Sequence, residues 1–252
     1  MFPTQLPAVL DVEIAGTVEG VGPEIDGLVV GDAVLGFADG GGYAEYALAT
    51  TVAPKPAGLY WAAAAALPVA AETALRVLGL LEVARGDTVL IHSAAGAVGT
   101  DVVQIAVARG AAVIGTASEP NHDYLRELGA TPVLYGGGLV DRVRAVAPDG
   151  VDAAFDVAGQ GALPDSIEPR GGTSRIVTIA DPEAFRLGVT FSSEAAPDAE
   201  APAEVARQAA DGRIRLTVTE TLPLEEAPAA HALLDTGHGR GKIVLLVDRA
   251  CD

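Results

Sequence analysis

Apolar and polar positions along this chain follow two regimes. Between residues 10 and 55, the stretches LDVEIAGTVEGVG, DAVLG and GGYAEYALA alternate or run apolar between Gly, Asp and Pro breakers, which predicts β structure. Residues 61–84, opening WAAAAALPVAAETALRVL, are rich in Ala and Leu and predict helix with an interruption at Pro68. From residue 88 the pattern becomes periodic. TVLIH (88–92), AVIGTA (112–117), PVLY (132–135), DAAFDV (152–157) and RIVTIA (175–180) read as strands. Helical stretches, VGTDVVQIAVARG, NHDYLRELG and LVDRVRAVA, separate the first four. Strands alternating with helices of this length predict an α/β fold built on a doubly wound parallel sheet. LGVTFSS (187–193) adds a candidate edge strand. The remainder predicts a loop leading into a helix that ends near Gly212, a strand in IRLTVTE, a helix in LEEAPAAHALLDTG and a last strand, KIVLLV (242–247).

Composition narrows the function classes. The chain has 252 residues and is 50% hydrophobic, enough for one large domain or two modest ones. Its formal charge of −18 disfavours nucleic acid and anionic membrane surfaces as partners. It leaves a dinucleotide open, because backbone N–H groups bind phosphate without side-chain charge. Cys251 is the single cysteine, so a multi-cysteine zinc site is excluded, and a reducing cytoplasm is the expected compartment. No run reaches the length of a membrane helix, and residues 1–13 lack the basic and apolar regions of a signal peptide.

The informative segment is TVLIHSAAGAVGTDVVQIAVARGAAVIGTAS. A buried strand ends at His92, a turn of small residues follows, and a helix opens near Ala97. Ala94-x-Gly96-x-x-Gly99 matches the dinucleotide fingerprint, with Ala in the first glycine slot. Gly96 lets backbone approach a pyrophosphate, Gly99 lets the helix sit close on the strand, and the helix start supplies free N–H groups. The loop 93–99 is thus the candidate cofactor cradle, from Ala95 through Gly96, Ala97 and Val98 to Gly99. A plain βαβ turn is the competing reading.

The end of the second strand selects the nucleotide. Sites that prefer NAD place Asp or Glu there to bond the ribose hydroxyls. Here the strand ends Gly115-Thr116-Ala117-Ser118, small and neutral, which leaves room for a 2′-phosphate and predicts NADPH. Ser118 and Asn121 are the polar contacts expected for it. Glu119 stands beside them, and the nearest basic groups are His122 and Arg126. Helix capping is the competing role for Ser118 and Asn121.

At this point the chain resembles the zinc-independent, quinone oxidoreductase-like branch of the medium-chain dehydrogenases/reductases. The resemblance runs from about residue 8 to 248 and rests on DVEIAGTVEGVG, GGYAEYALA, AAETALRVL, GDTVLIHSAAGAVGTDVVQIA, LRELGA, GVDAAFDVAG, RIVTIAD and RGKIVLLV. It implies a Rossmann domain (71–193) plus a partial GroES-like β domain (1–70), with a C-terminal segment (194–252) returning to the latter. It implies reduction of a quinone or an α,β-unsaturated carbonyl by hydride transfer from NADPH, with a small-molecule substrate and a homodimer. By the same resemblance, 96–99 line the pyrophosphate, Ser118 and Asn121 lie by the adenosine phosphate, Tyr135 by the adenine or its phosphate, Thr73 by the nicotinamide, and Ile179 offers backbone to the carboxamide. Zinc-dependent relatives carry Gly-His-Glu where this chain has Asp11-Val12-Glu13, so no metal is expected. The family begins with further strands that wall the nicotinamide pocket, and this chain starts after them. A degenerate member repurposed for non-redox natural-product chemistry or ligand binding is therefore the alternative, followed by a nucleotide-sensing role.

Tyr43 and Tyr46 are candidate proton donors to a developing oxyanion, and Thr73 is a candidate partner of the carboxamide or ribose. On a straight strand the two tyrosines face opposite sides, and Tyr43, which follows the glycine loop, is preferred. Surface packing is an equal rival for both. His92 reads as strand-end packing, His231 and His238 receive no role, and Asp152 and Asp156 read as turn residues.

Overall fold

The computed structural model describes residues 6–192, 197–235 and 239–247; His238 and Cys251 lie outside the described residues. The chain divides into two compact units, Met1–Glu72 with Ala196–Asp252, and Thr73–Ala195.

The first unit holds a small antiparallel sheet, β1 (Glu13–Thr17), β2 (Ala33–Phe37) and β3 (Thr51–Pro54), in that spatial order. The alanine run forms α1 (Trp61–Ala66), and Pro68 opens α2 (Pro68–Leu80), which continues into the second unit. Ala62 and Ala66 of α1 pack on Val244, so the run is helix interior as its composition predicts. Glu13 of β1 fixes the start of α2: its Oε1 accepts the Val69 N–H at 2.9 Å.

The second unit is the doubly wound sheet. Its elements are β4 (Thr88–His92), α3 (Ala97–Ala108), β5 (Ala112–Ala117), α4 (His122–Glu127), β6 (Thr131–Leu134), α5 (Leu139–Val146), β7 (Ala153–Asp156), α6 (Leu163–Arg170), β8 (Ile176–Thr178), α7 (Ala184–Leu187) and β9 (Thr190–Phe191). The order is β6-β5-β4-β7-β8-β9, all parallel. Val89, Leu90 and Ile91 are fully buried, and so are Ala153, Ala154 and Phe155, as expected of strands covered on both faces. Strand order reverses between β4 and β7, the switch point where open α/β sheets bind ligands.

The chain then returns to the first unit through α8 (Glu200–Ala210), β10 (Val218–Pro223), α9 (Ala227–Leu234) and β11 (Lys242–Leu246). β10 and β11 form a parallel pair, and Lys242 of β11 pairs with Glu13.

Two sequence expectations need correction, and one helix went unpredicted. GGYAEYALA forms no strand, so Tyr43 and Tyr46 do not alternate across one. Gly41 takes a positive φ of 113°, and the amides of Gly42 and Tyr43 bond to the Leu10 carbonyl in a local crossing, not a ladder. The strand predicted in IRLTVTE starts at Val218, four residues late. Helix α6 carries Pro164 and Pro169, which masked it in the sequence; Pro164 sits in the first turn, where a missing N–H costs nothing.

Candidate functional site

Loop 93–99 leaves the C-terminal end of β4 at Ser93, which has a left-handed φ of 55°. Two bonds to β5 hold the turn: Ser93 N–H to Thr116 Oγ1 at 3.2 Å and Ala94 N–H to the Thr116 carbonyl at 3.0 Å. Gly96 is the N-cap of α3, and no side chain caps it. The first-turn amides of Ala97, Val98 and Gly99 have no intrahelical acceptor, so they point out of the helix start with the positive end of its dipole. A β carbon on Gly99 would stand 2.3 Å from Ser93 O and 2.8 Å from Ala94 Cα. One on Gly96 would meet Ser93 O and Oγ at 3.3 Å. Ala94 and Ala95 are buried beneath the turn. Gly115 of β5 closes the cradle from below, where a β carbon would come within 2.8 Å of Ala94 Cβ. Backbone donors laid bare at a helix start fit a pyrophosphate.

The other predicted cofactor residues follow neighbouring strands at the same edge. Ser118 and Asn121 follow β5 and bond each other, Asn121 Nδ2 donating to Ser118 Oγ at 3.1 Å. Both occupy N-cap positions, yet neither side chain makes a cap bond. Of the nearby basic groups, His122 donates to the Ala117 carbonyl at 3.3 Å, and Arg126 pairs with Asp123 at 2.6 Å. Tyr135 follows β6 and is 52% exposed. Arg142 of α5 shapes its loop by donating to the carbonyls of Leu134, Tyr135, Gly136 and Gly137. Ile179 follows β8 and donates its N–H to the Asp156 carbonyl at 3.2 Å.

Sequence reasoning missed the network that ties the last two loops together. Asp156 is wholly buried at the end of β7. Its Oδ1 accepts the amides of Ala158 and Gly159, and its Oδ2 accepts Thr178 Oγ1–H at 2.8 Å. Thr178 Oγ1 in turn accepts the amides of Ala180 and Asp181. The aspartate does satisfy a turn, as its type suggests, and it also braces the loop beyond β8. His92 is buried, and its Nε2 meets Ser166 Oγ at 2.8 Å. Burial pushes its pKa below the ordinary histidine value, against the opposing pull of Asp156 and Asp165. A neutral, enclosed imidazole suits the packing role that its strand-end position predicts.

Thr73 lies on α2 and is buried. In the first unit, Tyr43 is half-buried, and its hydroxyl meets Nε2 of His231, on α9, at 3.3 Å. The rings meet edge to face, with centroids 6.0 Å apart. Burial, then Asp11 and Glu13, push the Tyr43 hydroxyl above the usual phenol range. Tyr46 is 76% exposed. Among the described residues, no group of three or more His, Cys, Asp or Glu stands where it could hold a metal ion, and no helix is long and apolar enough to cross a membrane.

Residues 128–245 match a family model described as zinc-binding dehydrogenase. The chain is 30% identical to the quinone oxidoreductase of Mus musculus over 96% of its own length and 81% of that protein's. It is 31% identical to 2-methylene-furan-3-one reductase of Solanum lycopersicum over 95% of its length and 64% of the relative's. Among solved structures, a mycobacterial protein complexed with NADPH superimposes with a TM-score of 0.84 at 28% identity, covering 97% of this chain and 84% of that one.

Proposed function

This chain belongs to the quinone oxidoreductase-like branch of the medium-chain dehydrogenase/reductase family, and we propose that it is an NADPH-dependent, zinc-independent reductase of a quinone or an α,β-unsaturated carbonyl. The observation that carries the reading is the loop 93–99, whose uncapped helix start and side-chain-free Gly99 form a phosphate cradle at the switch point of a parallel sheet. Bound there, the cofactor supplies the hydride. The protein's part is placement. Ala95, Gly96, Ala97, Val98 and Gly99 hold the pyrophosphate, Ser118 and Asn121 take the adenosine phosphate, Tyr135 flanks the adenine or its phosphate, and Ile179 receives the carboxamide. The neutral Ala117-Ser118 strand end supports NADPH over NADH. Thr73 and Tyr43 are assigned to the reacting end. Valine at position 12, where zinc-dependent relatives carry histidine, supports hydride transfer without a metal. The homodimer and the cytoplasmic location rest on the family resemblance and the lone cysteine.

Titration with NADPH and NADH, followed by turnover of a simple quinone and a simple enone, tests the proposal. NADPH binding with turnover of either acceptor is expected. Failure to bind either cofactor ends the reductase reading; binding without turnover ends the catalytic half of it.

A further inference from the structure

We infer that Asp181 selects the carboxamide of the nicotinamide ring, its second carboxylate oxygen accepting a hydrogen bond from the carboxamide NH2. The inference rests on the cofactor reading above and names a residue that reading does not use.

Asp181 lies in the turn between β8 and α7 and is 4% exposed. Its backbone N–H is fixed by Thr178 Oγ1 at 3.0 Å, and its Oδ1 accepts the Glu183 amide at 2.9 Å. Its Oδ2 is buried and has no hydrogen-bond partner among the described residues. A buried acceptor of this kind is costly to leave unpaired, more so on a carboxylate, and calls for a donor. Among the described residues the other such side-chain atom is Arg170 Nε. Arg170 ends α6, at the edge of the sheet where β8 begins. Asp181 sits at the opposite edge, where β8 ends and where loops 93–99 and 118–121 also lie.

The topology says which part of a dinucleotide reaches it. With the pyrophosphate on loop 93–99, the adenosine half lies beyond β5 and the other half beyond β7 and β8, across the switch point. The hydrogen-bond donor on the nicotinamide ring is its carboxamide NH2. Ile179, two residues before Asp181, has its N–H engaged by the Asp156 carbonyl, so of its two backbone groups the carbonyl is the one to meet a carboxamide. A carboxamide meeting that carbonyl presents its NH2 rather than its oxygen. The NH2 carries two hydrogens, one for Ile179 O and one for Asp181 Oδ2. The Ile179–Ala180 peptide and the Asp181 backbone both hang on the same Asp156–Thr178 brace.

The test compares binding of NADP+ with that of its 3-acetylpyridine analogue, in which a methyl replaces the NH2. Both rings carry the same charge, so the comparison isolates the donor. The wild type should prefer NADP+ by about thirtyfold, the combined effect of a hydrogen bond to a charged group, about tenfold, and one to a neutral carbonyl, about threefold. In Asp181→Ala the preference should fall to about threefold, the share held by the Ile179 carbonyl, through weaker NADP+ binding, with the analogue unchanged. Asp181→Asn keeps the shape and one oxygen, and should lose part of the preference while its thermal unfolding stays that of the wild type. An unchanged preference in both variants, or equal weakening of both ligands, overturns the inference and leaves the reductase reading standing. Binding of neither ligand by the wild type removes both.

Discussion

The carbonyl oxygen of Ser93 occupies the place that a side chain on Gly99 would need: a β carbon there would lie 2.3 Å away. Neither partner has room to yield, because Ser93 is held by Thr116 and Gly99 lies in the first turn of α3. Gly99→Ala should therefore cost about 1–3 kcal/mol of stability through forced displacement of the turn. It should weaken NADPH binding at least about tenfold, and Gly99→Asp should abolish it by adding charge repulsion. Calorimetric titration and thermal unfolding read the two effects separately. Wild-type affinity in Gly99→Asp would falsify the assignment of this loop to phosphate.

His92 provides a pH test. Its pKa is lowered in the folded protein, chiefly by burial. An unfolded histidine takes up its proton near pH 6.5, and this one does so only at lower pH. Between those points the unfolded chain binds more protons, so stability falls as pH falls below about 6.5 and is fully present above it. His92→Leu removes the titration, while Ser166 keeps its bond to the Ala162 carbonyl. From pH 6.5 to 5.5 the wild type should lose more stability than the variant, by up to about 1 kcal/mol. Parallel pH profiles in chemical denaturation would mean that His92 protonates equally well in both states.

What the sequence revealed depended on the range of the interaction. Strands β4 and β5 were readable to the residue because a central parallel strand is a mainly apolar run, and TVLIH lies between Asp87 and Ser93 while AVIGTA stops at Ser118. The Gly96 and Gly99 loop was legible because its demands are local. GGYAEYALA misled because its pattern is that of a strand, whereas its amides are claimed by Leu10 and Asp11 some thirty residues earlier. Pro164 and Pro169 hid α6. The Asp156–Thr178 brace joins loops from different strands, and no spacing in one sequence discloses such a juxtaposition. The Tyr43–His231 contact spans 188 positions and was invisible for the same reason.

Glu13 and Lys242 join the first and last strands of their unit, with side chains 11% and 24% exposed. Removing one partner of a fully buried pair costs about 3–5 kcal/mol, and the residual exposure of Lys242 brings the expectation for Lys242→Met to about 2 kcal/mol at pH 7. Burial already raises the Glu13 pKa, against the pull of Lys242, and loss of that charge raises it further. The folded variant then binds a proton that the unfolded chain does not. Its stability deficit should shrink as pH falls toward the ordinary carboxylate range and grow as pH rises out of it. A deficit independent of pH between 4 and 7 would show that Lys242 acts through its aliphatic stem rather than its charge.

Ser118 tests the choice between the two nicotinamide cofactors. It follows β5, and its Oγ accepts from Asn121 Nδ2. A 2′-phosphate there meets a hydroxyl and an amide; an aspartate in place of Ser118 would meet it with a like charge. The same aspartate would accept bonds from the two free ribose hydroxyls of NADH. Ser118→Asp should therefore weaken NADPH binding by about tenfold to a hundredfold, corresponding to about 1.4–2.8 kcal/mol, and strengthen NADH binding a few-fold. The substitution is at a half-buried surface turn, so the melting temperature should stay near that of the wild type. Equal loss for both cofactors would point to a damaged turn, and no change for either would move the adenosine phosphate away from Ser118 altogether.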